Sequence, residues 1–136
     1  MKFTKIIETS IYSSNLKVMK DFYINILGLD FVSEEQDRHV FLKAGKSMLL
    51  IFNPDKTLNN GNDILPSHGV YSPPSIIHFA FEIKKDDYEK WKYLLKENKI
   101  DIEKEIKFGN SKSIYFRDPV GNVVELITND AWPVDV

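Results

Sequence analysis

Tyr115-Phe116-Arg117-Asp118-Pro119-Val120-Gly121-Asn122-Val123-Val124-Glu125-Leu126-Ile127-Thr128 reads as two strands joined by a tight turn. Proline fixes φ at one turn position and glycine tolerates positive φ at another, so Asp118-Pro119-Val120-Gly121-Asn122 is turn chemistry and not a catalytic motif. In the second strand the side chains alternate between faces, so Glu125 shares its face with Val123 and Ile127. An unpaired carboxylate in such a strand costs several kcal/mol of desolvation. It therefore needs a partner, and a metal ion is one candidate.

Two earlier strands carry similar oddities. Glu8 lies in Lys5-Ile6-Ile7-Glu8-Thr9-Ser10-Ile11-Tyr12, and His78 lies in Ile76-Ile77-His78-Phe79-Ala80-Phe81-Glu82-Ile83. Each strand is followed by a helix. In the first, Ser13-Ser14-Asn15 supplies N-cap chemistry, then Leu16, Met19, Phe22, Tyr23 and Ile26 keep helical spacing, and Gly28 is a C-terminal stop. In the second, Asp86-Asp87 caps a helix whose apolar stripe is Tyr88, Trp91, Leu94 and Leu95. Three strands follow each helix, predicted at 29–34, 39–43 and 47–53, and at 101–107, 112–117 and 122–128. The order β-α-β-β-β thus occurs twice, with Glu8 and His78 at like positions, and a repeat of this size constrains the fold strongly. The expected class is α+β: one domain over residues 1–136, with module one at 5–53, a linker at 54–75 and module two at 76–128. The two modules are expected to form curved mixed sheets around a cavity.

Alternation sorts the first strand of each module into two faces. Ile77, Phe79, Phe81 and Ile83, like Ile7, Thr9 and Ile11, face the helix side. His78, Ala80 and Glu82 lie opposite, as do Glu8 and Ser10, and Ser113 and Tyr115 alternate with Ile114 and Phe116. A sheet face of small and polar residues lines a cavity more readily than it fills a core. Two carboxylates and one imidazole suit a borderline or hard divalent ion, and three protein ligands leave positions open for substrate. Other readings stand beside this one. His78 could be hydrogen-bonded or exposed, Glu8 could be a solvated edge residue, and Glu125 could pair with Arg117 or a lysine. His39 could face the cavity or an exposed edge, and Trp132-Pro133 reads as an apolar tail packed on the domain.

The remaining composition sets bounds. The chain has 136 residues, 18 basic and 20 acidic, for a net charge of −2. The absence of a basic run argues against a nucleic-acid partner. The chain has no cysteine, which excludes disulfides, thiolate nucleophiles and cysteine zinc sites. No apolar run reaches the ~20 residues of a membrane helix. The start Met1-Lys2-Phe3-Thr4-Lys5 lacks a signal-peptide pattern, so a cytoplasmic location is expected. The linker carries four prolines (54, 66, 73 and 74) and Asn59-Asn60-Gly61-Asn62. It is expected to be the most mobile segment and to border the cavity mouth, with His68 touching substrate.

These features resemble the vicinal oxygen chelate superfamily, which includes glyoxalase I, bleomycin-resistance proteins, fosfomycin-resistance transferases and extradiol dioxygenases. Asp21-Phe22-Tyr23 with Leu27-Gly28-Leu29, Ile77-His78-Phe79-Ala80-Phe81, and Phe116 through Leu126 carry the resemblance. It implies two β-α-β-β-β modules around a metal site, with Glu8, His78 and Glu125 as ligands of a divalent ion (Zn, Ni, Mn, Fe or Co). It also implies a small-molecule substrate that chelates the ion through oxygen. The chemistry would be of the lyase, isomerase or dioxygenase type, with Glu8 and Glu125 as catalytic bases and Tyr115, Ser10 and His68 at the substrate. A non-catalytic drug-binding protein, like the bleomycin-resistance members, is the alternative.

The first ligand position is Glu here, where fosfomycin transferases and extradiol dioxygenases typically have His. The strand Ser47-Met48-Leu49-Leu50-Ile51-Phe52 also lacks the fourth ligand that glyoxalase I would place there. The resemblance thus points to the small glyoxalase-like proteins of bacteria. The three ligand groups are expected within ~4–5 Å of a common point, given bonds of ~2.0–2.2 Å.

The open edges of two four-stranded sheets, together with the family's habit of pairing, predict a homodimer. Light scattering at micromolar concentration is expected to give about twice the 15.8 kDa of one chain. A mass near that of one chain would rule the dimer out.

Overall fold

The computed structural model describes residues 1–57 and 76–134. His68 and most of the linker lie outside the described residues, and with them the expectations for that loop. The chain divides between Ser75 and Ile76 into two compact units.

In the first unit, β1 (Glu8–Tyr12) leads to α1 (Leu16–Lys20), which continues as a wider π-helical segment, Asp21–Ile26. The strands β2 (Asp30–Glu35), β3 (His39–Ala44) and β4 (Ser47–Phe52) and the short helix α2 (Pro54–Thr57) follow. The Asn15 side chain accepts from the Val18 N–H, so the cap is the one its residue type predicts. At the other end Gly28 takes φ +80°, and the Leu29 N–H reaches back to the Tyr23 carbonyl at 2.9 Å. A left-handed residue there closes the helix, and glycine adopts it without penalty. The sheet order is β1-β4-β3-β2, with β1 parallel to β4 and the other pairs antiparallel. Ile11, Leu42, Leu49 and Ile51 are buried on one face, together with Met19 and Tyr23 of the helix.

The expected first strand is shorter than its sequence pattern. It begins at Glu8, and Ile7 is 51% exposed rather than packed under the helix. Only from Glu8 onward does the chain pair in register with Met48 and its neighbours, and burial follows the ladder.

The second unit repeats the plan. It contains β5 (His78–Ile83), a 3-10 turn (Lys85–Asp87), α3 (Tyr88–Glu97), β6 (Lys104–Phe108), β7 (Ser111–Arg117) and β8 (Val123–Thr128), in the order β5-β8-β7-β6. The expected carboxylate cap of α3 is absent. Asp87 sits at the N-cap but makes no cap bond, and its carboxylate is drawn to Lys90 at 2.8 Å. Ile114, Phe116, Val124, Leu126 and Leu95 form the core. Among the described residues no helix is long and apolar enough to cross a membrane.

The turn quoted at the outset is a clasp. Asp118 Oδ1 accepts from the N–H groups of Val120 and Asn122 at 3.1 and 2.9 Å, and its Oδ2 accepts from Asn122 Nδ2 at 2.8 Å. Asn122 Oδ1 in turn accepts from the Ile77 N–H at 3.0 Å, and the Val123 N–H donates to the Ile77 carbonyl. The turn thus ties the entry of β5 to the start of β8 and fixes His78 opposite Val123.

Asp118→Ala should cost about 2–3 kcal/mol, because charge-assisted bonds are lost and buried donors are orphaned. A lower urea midpoint with an unchanged slope would show this, and an unchanged midpoint would refute the clasp's role.

Candidate functional site

The site grows out of the sheet face of the second unit that points away from the core. Pairing places Ala80 and Tyr115 on either side of Glu125, His78 beside Val123, and Ser113 beside Ile127. All four polar or small positions therefore share one face with the carboxylate, as alternation predicts. Ala80 and His78 are exposed, whereas Glu125 is only 5% exposed. A short side chain at position 80 leaves the carboxylate reachable from the open face.

Glu125 is fully engaged. Its Oε2 lies 2.8 Å from His78 Nε2. Its Oε1 accepts from the Ser113 hydroxyl at 2.6 Å and from the Tyr115 hydroxyl at 2.9 Å. The Tyr115 and His78 rings are tilted neighbours, with centroids 5.9 Å apart. Burial, followed by the hydrogen bond to Glu125, pushes the Tyr115 phenol above its ordinary value, so it stays a donor across the neutral range.

Of the partners weighed for Glu125, neither Arg117 nor a lysine takes the role. Arg117 is committed to Glu103 at 3.0 Å and to the Gly121 carbonyl at 2.9 Å. The sequence alone gives Ser113 no role. Its signal was available: it lies two residues before Tyr115, on the same face, in the strand next to Glu125.

The first unit carries the corresponding face with other chemistry. Glu8 opens β1 opposite Met48 and is exposed, and Ser10 is half-buried opposite Leu50. By register, Leu50 stands where the second unit has Glu125, and Phe41 and His39 stand where it has Tyr115 and Ser113. His39 and Phe41 stack at 4.2 Å, with Phe52 edge-on to both. His39 is thus part of an aromatic cluster.

The structure brings His78, Glu125 and Tyr115 together. Glu8 and Ser10 belong to the other unit, and His68 lies outside the described residues. Among the described residues no group of three or more His, Asp or Glu side chains is gathered for a metal ion. The His78–Glu125 pair nevertheless has the donor set and spacing of two neighbouring ligands. Bonds of ~2.0–2.2 Å to one ion put adjacent ligand atoms roughly 3 Å apart, close to the 2.8 Å observed. An open cleft of about 520 Å³ in the second unit lies elsewhere, along α3 by Tyr93, Ile100 and Ile102, and holds no such pair.

Comparison with known proteins gives one family. Residues 5–126 match the Glyoxalase/Bleomycin resistance protein/Dioxygenase superfamily. Metallothiol transferase FosB of Staphylococcus haemolyticus (strain JCSC1435) is 34% identical over 119 residues, which is 85% of this chain and 76% of that protein. The FosB of Staphylococcus epidermidis (strain ATCC 12228 / FDA PCI 1200) is 33% identical over 132 residues, 94% of this chain and 84% of its own length. The crystal structure of Lactoylglutathione lyase from Agrobacterium tumefaciens is similar with a TM-score of 0.89 at 31% identity, covering 98% of this chain and 100% of that one.

Glu125→Leu should destabilise by about 1–3 kcal/mol, since the fully buried Ser113 hydroxyl loses its acceptor. Adding Ser113→Ala should recover part of the loss, giving a coupling of at least ~0.5 kcal/mol in a double-mutant cycle. Strict additivity would show that the hydroxyl does not serve the carboxylate.

Proposed function

Because the chain belongs to the glyoxalase/bleomycin resistance protein/dioxygenase superfamily, we propose that it is a divalent-metal-dependent enzyme acting on a small oxygen-bearing substrate. The observation that carries this reading is the His78 Nε2–Glu125 Oε2 pair at 2.8 Å, set on an open polar face. The names of the relatives above refer to a thiol and to the acyl adduct of one, metallothiol and lactoylglutathione. The substrate class proposed is accordingly a small oxygen compound handled as a thiol adduct or alongside a thiol co-reactant.

His78 and Glu125 would hold the ion. The bound ion would supply Lewis acidity toward a substrate oxygen. The chain's own residues divide the rest. Glu125 is buried and pinned by three contacts, so it is the fixed ligand. Glu8 is exposed at the start of β1, so it is the carboxylate suited to take a proton from substrate. Tyr115 spends its single O–H on Glu125, so toward a substrate its oxygen can only accept a hydrogen bond. Ser10, on the face of Glu8, is a second polar contact for substrate.

The test is metal titration of dialysed protein by calorimetry, with zinc, nickel, manganese, cobalt and iron(II) in turn. Turnover would then be assayed on 2-oxoaldehyde–thiol adducts and on epoxides with a thiol. Glu125→Gln should weaken binding by more than the ~10–100-fold typical of residues that merely support ligands. Glu8→Gln should keep part of the binding and lose turnover. Full metal occupancy and activity in Glu125→Gln would make the carboxylate structural and favour a non-catalytic binding protein.

A further inference from the structure

We propose that Ser113 and Tyr115 are positioning residues that occupy Oε1 of Glu125, leaving Oε2 as the oxygen offered to the divalent ion. This rests on the metal reading above and concerns the chain's own residues around it.

Both hydroxyls point at the same carboxylate oxygen, at 2.6 and 2.9 Å, while the other oxygen faces His78. The division follows from register. Tyr115 is directly opposite Glu125 and reaches across it, whereas Ser113 lies opposite Ile127 and approaches on the diagonal. Two donors on one oxygen fix the carboxylate's rotation as well as its position.

The donors are also neutral. A lysine or arginine at either position would cancel the charge a cation needs. Hydroxyls orient the carboxylate and leave that charge in place. The cation that β7 does place on this face, Arg117, is turned to Glu103 and the Gly121 carbonyl instead.

The internal repeat provides a control within the same chain. Where the first unit has Leu50 at the Glu125 position, it has Phe41 and His39 at the positions of Tyr115 and Ser113. The sheet itself therefore does not require hydroxyls at those sites. They occur in the unit that carries the carboxylate.

The experiment compares Ser113→Ala, Tyr115→Phe, the double variant and Ser113→Thr with the unaltered protein. The readouts are zinc and manganese affinity of dialysed protein, by competition with a chromophoric chelator, and thermal melting without metal. Each single loss of a hydroxyl should weaken affinity ~10–100-fold, and the double variant should fall further. Ser113→Thr, which keeps the hydroxyl, should restore most of the affinity. If Ser113→Ala fails to fold, Tyr115→Phe carries the test alone, because its ring stays in place.

Unchanged affinity in the hydroxyl-less variants, with or without a lower melting temperature, would overturn the positioning role and leave the metal reading standing. Failure of the unaltered protein to bind either ion would overturn both. The two failures are thereby told apart.

Discussion

A buried carboxylate dominates the second unit. Glu125 sits in a strand whose neighbours Val124 and Leu126 are core residues, and it is itself 5% exposed. A charge in that position is tolerable only if the surrounding strands bring donors to it. Ser113 and Tyr115 come from β7 and His78 from β5, so both strands that flank β8 are committed to one side chain. Any shift of register by one residue would move all of these groups to the opposite face. The chemistry of the site and the register of the sheet are thus the same constraint.

The Asp118–Asn122 turn supplies the register. It lies in the loop between β7 and β8, outside the strands that carry the candidate ligands. Yet its buried side chains bond to each other and to the Ile77 N–H, one residue before His78. A stretch that resembles a functional motif thereby works through geometry, by placing an imidazole 2.8 Å from a carboxylate 47 residues away in the chain.

The two units show how one topology serves two purposes. Both have the strand order first-fourth-third-second, with the outer pair parallel. In the first, the face opposite that of Ile11, Leu49 and Ile51 is aromatic, built on His39, Phe41 and Phe52. In the second it is polar. Hydrogen bonds along the backbone ladder are indifferent to this exchange, so duplication of the fold leaves the side chains of that face open to divergence.

The sequence by itself determined the order of the strands and main helices, the repeat, and the shared face of His78, Tyr115 and Glu125. These are local properties: helical spacing in Leu16–Ile26, alternation in His78–Ile83 and Val123–Thr128, and turn residues at Gly28 and Gly121. His78 and Glu125 were legible for the same reason, as polar residues breaking apolar strands. Only the tertiary structure decided who meets whom. Arg117, a partner weighed for Glu125, turns to Glu103, and Ser113, an ordinary residue in the sequence, makes the 2.6 Å contact. The late start of β1 and the missing carboxylate cap at Asp87 were likewise hidden, because each depends on a competing partner or on where a ladder begins. Alternation is written into a strand's own residues, whereas the partner of a side chain depends on the register between strands far apart in sequence.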